Sequence, residues 1–287
     1  MRILLTSGFF ALAAVSLSVF PAAKSYAGLP VGTEKPLVSI DDEPVDLKTL
    51  LNYQAPEQDF SDNKMPLDIR GDAIKEAALS FGARGGLAKR TYEIRTELDT
   101  RARYLDKVFD FGQLLIPAPS GFLIEPPIVS EGLKAMIVDI GGQTAAVSDK
   151  IYNITRNARI ISAPRTWRNY LEREWGEVVP PPAILLPQNE EEAKVWHDNV
   201  TKGWKLGYDQ ADEIFQQDLA HMTSDFEGMV RYRMLLAQGM ISPPYALQVD
   251  RGVTGGGNEM RVGDRAVQIT GVPQLITGTD QWKPASR

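Results

Sequence analysis

Cysteine is absent from all 287 residues. No disulfide framework can brace the fold, and no thiolate can act as nucleophile or metal ligand. Acylation at a lipoprotein leader needs a Cys just after the cleavage point, so that anchor is excluded as well. Histidine is nearly absent: His197 and His221 are the only two. They are 24 residues apart in a segment with helical spacing, about 36 Å along one straight helix, so they cannot share a metal there. His221 has Asp218 and Asp225 at i−3 and i+4, which reads as an ion-paired surface histidine. No His-Glu-x-x-His, Gly-x-Ser-x-Gly or phosphate-cradling glycine loop occurs. Gly255-Gly256-Gly257 lies between strand-like runs, where a turn explains it. The carboxylates at Glu190–Glu192, Asp209 and Asp212-Glu213 decorate the polar face of an amphipathic segment. The sequence therefore assigns no catalytic residue, no cofactor and no metal ligand.

What is present begins with a leader. Met1-Arg2 opens it, Ile3 to Phe20 is apolar with small polar interruptions, and Pro21 ends that run. Ser25 and Ala27 place small residues at −3 and −1 of a cleavage site, so cleavage is expected between Ala27 and Gly28, with export of the chain. Without Arg2 and Lys24, 29 basic residues remain against 37 acidic ones, a net −8. Such a surface does not attract phosphate backbones, so direct nucleic-acid binding is not expected.

Residues 28–66 are rich in Pro, Asp, Glu, Gln and Asn and read as an extended or disordered arm, with Leu47, Leu50, Leu51 and Tyr53 as one sticky element. A single α+β domain follows over 67–278, and 279–287 is a C-terminal tail. From Leu67 to Phe109 apolar residues recur at helical spacing. Gly82, Gly85 and Gly86 interrupt that pattern and predict either a break or a close backbone contact. The charged neighbours Arg84, Lys89 and Arg90 make Gly82-x-x-x-Gly86 a soluble packing site rather than a membrane one. Prolines at 117, 119, 126 and 127 forbid helix, and strand-like runs occupy 133–140 and 145–161. Pro164 opens a short helix through Trp167, Tyr170, Leu171 and Trp175, and Pro180-Pro181-Pro182 forms a stiff linker.

The strongest helix starts at an Asn189 cap, with Glu192 reaching back in a capping-box variant. Trp196, Val200, Trp204, Tyr208, Ala211, Phe215, Leu219, Met222, Phe226 and Met229 form one stripe with a mean step of about 3.67, so the helix is long and nearly straight. It ends near Gly239. A β meander closes the domain, with Gly263-Asp264 as a tight turn and Gly255–Asn258 as a looser one. Val147–Lys150 with Ile154 echoes Val262–Arg265 with Ile269, which suggests neighbouring hairpins in one sheet. The expected fold is thus two long helices packed with a small antiparallel sheet of hairpins. Trp167, Tyr170, Trp196, Trp204, Phe215, Phe226, Pro243, Pro244 and Tyr245 are the candidate core or interface residues.

Several long stretches resemble the DotC family of type IVB secretion and conjugation systems. They are Lys75–Ala88, Ala163–Leu171, Leu185–Pro187, Gly203–Ala211, and Asp225 through Ile241–Tyr245 to Gly252–Gly255. The resemblance spans roughly residues 70 to 275. It implies a non-enzymatic, periplasmic scaffold of an outer-membrane core complex, with DotD-like and DotH-like partners. Many DotC proteins are lipoproteins. This chain has no Cys to acylate, so partners rather than a lipid must carry it to the outer membrane. The competing expectation is a periplasmic solute-binding protein or hydrolase, which needs a pocket with convergent polar groups.

Overall fold

A computed structural model describes residues 43–53, 67–138 and 145–283. The leader and its cleavage pair Ala27 and Gly28 lie outside them. The chain order is α1 (Leu47–Leu51), α2 (Leu67–Thr100), α3 (Ala102–Val108), β1 (Ile116–Pro117), β2 (Leu123–Glu125), β3 (Ile128–Val138), β4 (Ala145–Arg156), β5 (Arg159–Ile161), α4 (Arg168–Leu171), α5 (Glu190–Ala237), β6 (Tyr245–Gly256) and β7 (Glu259–Gly271). The fold is α+β, with two long helices and three small antiparallel sheets: β1-β2-β5, β3-β4 and β6-β7.

The largest contact in the molecule joins α2 to α5. The glycines do not break α2, which runs uninterrupted past all three. They admit a neighbouring backbone. A Cβ on Gly82 would strike the Val200 carbonyl, and one on Gly86 would strike that of Trp204. On α5, Gly203 and Gly207 face the carbonyls of Leu79 and Ala83 in the same way. Two glycine pairs thus interdigitate, and main chain meets main chain with no side chain between.

These helices run parallel. Arg70 bonds Glu192 near their starts, and Arg90 bonds Asp212 further along, each 122 residues apart. A parallel pair needs a return path, and the proline-rich stretch supplies it. Trp175 lies against Tyr92 with rings at 5.2 Å, Pro180–Pro182 line the face of α2 near Ser80, and the carbonyls of Ile184 and Leu186 accept from Arg70. From Tyr92 back to Arg70, α2 spans about 33 Å at helical rise. The stretch from Trp175 to Leu186 covers about 30 Å, taking polyproline rise as far as Pro182 and the shorter 3-10 rise over Ala183–Leu185, so the lengths are close. The run is a strut on α2 within one domain.

Both ends of α5 are capped. The Asn189 side chain accepts from the Glu192 N–H at 2.8 Å. Glu192 itself takes the N–H of Gln188, one residue before the expected partner, and the same carboxylate accepts from Arg70. At the C-terminus, Met240 N–H bonds the Leu235 carbonyl and Gly239 N–H that of Leu236. This Schellman motif requires the left-handed Gly239, φ 72°. The stripe bends around its expected course: Leu219 is exposed, while Asp225, Tyr232 and Leu235 are buried.

Four further expectations are corrected. The sticky part of the arm is helical and docked: α1 buries Leu50 against Ile74, Phe81 and Trp196. The helix after Pro164 spans only Arg168–Leu171, because Trp175 already belongs to the strut. The terminal meander is a single long hairpin turning at Gly257-Asn258, where Gly257 takes φ 62°. Gly263-Asp264 lies inside β7, in a bulged part of the register. Finally, the echoing segments occupy the second strands of two separate hairpins, not one sheet.

Candidate functional site

Where α5, α4 and the three-stranded sheet meet, two carboxylates are buried. Asp225 and Glu125 retain 5% and 3% exposure. A charge that deep must be paired, and the chain brings three guanidiniums to the pair. Arg156 at the end of β4 bonds Asp225, and Arg159 of β5 bonds Glu125. Arg165 reaches both, at 3.2 Å to Glu125 and 3.5 Å to Asp225. Tyr170 completes the network. Its hydroxyl donates to Asp225 at 2.8 Å and accepts from Arg165 at 2.9 Å. Burial, then the bond to Asp225, pushes the Tyr170 phenol up to about 12. Burial also raises the Glu125 carboxyl above its usual range, against the pull of Arg165 and Arg156.

His221 lies at the edge of this network, 3.6 Å from Asp225, with its ring edge-on to Tyr170. Together with Arg165, Asn169, Arg173 and Asp218 it lines an open cleft of ≈ 590 Å³. Arg173 is already paired with Asp218, and Arg165 is engaged with Glu125, Asp225 and Tyr170. The cleft's polar groups therefore point at one another. No group of three or more metal-type ligands is assembled among the described residues. His197 is exposed near the start of α5, far from this cleft.

The aromatic candidates divide by depth. Trp167 is buried, its indole N–H donating to Asp106 at 2.7 Å. Trp196 is fully buried and donates to the Leu50 carbonyl at 3.3 Å. Trp204 is half-buried, with its ring over Gly85. Phe215 and Phe226 pack on the middle cluster, and Phe226 meets Phe109 and Phe111 edge-on. Pro244 is buried and Pro243 exposed. Tyr245 is 62% exposed, and with Leu247 and Val249 it faces outward along β6.

Exposed apolar side chains stand on both long hairpins, Leu133 and Val147 on β3-β4 and a larger set on the terminal hairpin β6-β7. Beyond Val249 nearly every side chain is exposed, with Val253 at 62% and Met260 and Val262 at 73%. A second open feature runs between β3 and α5, a groove of ≈ 590 Å³ lined by Ile128–Glu131, Leu219, Thr223 and Arg231.

The network escaped sequence reasoning, because Glu125, Arg156, Arg159 and Arg165 lie in irregular or strand segments without a period. One signal existed: Asp225 falls on the buried side of the α5 stripe, beside Met222 and Met229. The family described as "Type IV secretory system, conjugal DNA-protein transfer" matches residues 68–284. No curated protein matches the chain.

Proposed function

The chain belongs to this family of type IV secretory, conjugal DNA-protein transfer proteins, and from that premise we propose that it is a non-catalytic scaffold of the DotC kind. In this reading it is exported to the periplasm and built into an outer-membrane core complex. It helps DotD-like and DotH-like subunits assemble and reach the membrane, and it is held there by those partners rather than by a lipid.

The observation that carries the reading is where the DotC-like stretches fall. Lys75–Ala88 and Gly203–Ala211 are the two halves of the glycine interface between α2 and α5. Ala163–Leu171 and Asp225 supply Arg165, Tyr170 and a carboxylate of the buried network. Leu185–Pro187 includes the carbonyl that receives Arg70. The resemblance thus includes the contacts that make this fold, and where Ala163–Leu171 borders the open cleft its Arg165 and Tyr170 are engaged in the buried network. A hydrolase or solute-binding role draws no comparable support, since the cleft at His221 has its polar groups mutually engaged. The test is co-purification of the tagged mature chain from a detergent extract of cells making the whole apparatus. DotD-like and DotH-like subunits are expected among its companions; recovery of the chain alone refutes the scaffold reading.

A further inference from the structure

Past the end of α5, residues 274–283 return as a strap. Main-chain bonds fix it: Ser242 N–H to the Gln274 carbonyl, Ile276 N–H to that of Met240, and Lys283 N–H to that of Gln238, at 2.8–2.9 Å. The Trp282 indole N–H closes back on the Ile276 carbonyl at 2.9 Å. Between strap and β4 lies an open cleft of ≈ 570 Å³, lined by Met240, by Leu275, Ile276 and Trp282 of the strap, and by Asp149, Lys150 and Tyr152 of β4. Leu275 and Trp282 remain 37% and 39% exposed, so the apolar wall is preformed and open.

The strand at this cleft has a free edge. A Cβ on Gly228 would lie 3.2 and 3.3 Å from the Val129 amide nitrogen and carbonyl oxygen, and Arg231 donates to that oxygen. Val129 therefore turns its main-chain groups to α5 and away from its partner Ile154. In an antiparallel ladder such pairs alternate with bonded ones. The register is regular from Val129 to Leu133, so Tyr152 and Lys150, opposite Glu131 and Leu133, also turn their N–H and C=O away from β3. Among the described residues β4 has no second neighbouring strand. A lysine commonly guards such an edge, but Lys150 is drawn to Glu131 at 2.9 Å. The charge left at the cleft is the exposed Asp149. A small polar ligand meets no convergent polar groups here. An extended main chain meets the donors and acceptors of two residues beside an apolar pocket, the requirements of strand addition.

We propose that this cleft binds an extended segment of a partner protein. The segment pairs with β4 as a third strand, seats one large apolar side chain against Met240, Leu275 and Trp282, and brings a basic residue to Asp149. Only the partner's place in a secretion apparatus rests on the scaffold reading; the binding itself is measured without the apparatus. The purified chain is panned against displayed random nine-residue peptides, and enriched peptides are synthesised and their affinities measured. Peptides that join a large apolar residue to a basic one are expected. Methylating the backbone nitrogens of alternate residues should weaken binding at least about tenfold, and methylating those in between should change it by less than about twofold. Leu275→Glu and Thr277→Arg, both at exposed positions lining the cleft, should abolish binding and keep the thermal midpoint. The proposal is overturned if no peptide enriches, if enriched peptides bind both variants like the unaltered chain, or if methylation acts equally at every position. Co-purification of secretion subunits bears on the scaffold reading alone, so each can fail without the other.

Discussion

Gly86 sits where any side chain would strike the backbone of Trp204. Gly86→Ala should therefore destabilise the chain by about 1–3 kcal/mol, the usual cost of overpacking. That is opposite in sign to the gain of about 1 kcal/mol that the same change gives in an unobstructed helix. Denaturant unfolding decides it, and a more stable variant would show that the helices do not meet there. Tyr232 makes the reverse case. It is fully buried, and its hydroxyl finds no partner among the described residues. Burial pushes that phenol up to about 12. Tyr232→Phe removes an unsatisfied group, so stability should hold or rise by up to about 1 kcal/mol. A loss instead would reveal a partner for the hydroxyl. The two histidines belong to this scale too. His197→Gln with His221→Gln should leave conjugal transfer intact, because neither imidazole is held against an open reactive group. A folded double variant that no longer transfers would reopen an enzymatic reading.

Among the elements, α5 was the most legible in sequence, because forty-eight helical residues carry a sustained period and a side-chain cap. The glycines were legible as a choice between break and contact. Their own positions could not decide it, since the partner glycines lie about 120 residues away. The terminal hairpin was read with the wrong turn. Gly257-Asn258 and Gly263-Asp264 both suit a tight reversal, and Gly263 does take φ 73°. The longer ladder wins, because placing the turn at Gly257 pairs β6 with β7 from Tyr245–Gly271 to Gly256–Glu259. That choice leaves Val253, Met260 and Val262 in solvent. Replacing 249–266 by a two-residue turn should hardly move the thermal midpoint, yet it should remove secretion subunits from the co-purified material. A variant that assembles normally would reduce the hairpin to ornament. The buried network was hidden for a different reason: its members come from five segments, and no local pattern foretells their convergence.

Across the whole molecule, one ionic joint closes the circuit of helix, strut and helix. Arg70 is 7% exposed and bonds Glu192, Ile184 and Leu186 together. The bond to Arg70 holds the Glu192 carboxyl below its ordinary 4.5. A lowered carboxyl adds stability that is complete above its unfolded pKa and is lost as pH falls below 4.5 through the folded value. Glu125 acts in the opposite sense, since its raised carboxyl is relieved by protonation. Glu192→Gln should cost about 1.5–3 kcal/mol at neutral pH. The gap to the unaltered chain should narrow as the solution is acidified below 4.5. Urea titrations at several pH values measure it, and a gap that stays constant would mean the charge on Glu192 does not matter.

The glycine interface also sets what this chain can become. Every glycine codon is a single base change from an alanine codon, and along most helices that step is an improvement that drifts in unopposed. Gly71, at the start of α2 with nothing within 4 Å of its would-be Cβ, is open to it. Gly82, Gly86, Gly203 and Gly207 are closed to it, each by a carbonyl on the facing helix. A Cβ on any one of them meets main chain, which cannot shrink, so no second mutation on the other helix can make room. The easiest step in the genetic neighbourhood is thus barred at four sites at once, and descendants of this sequence can diverge widely around a seam that they cannot redraw.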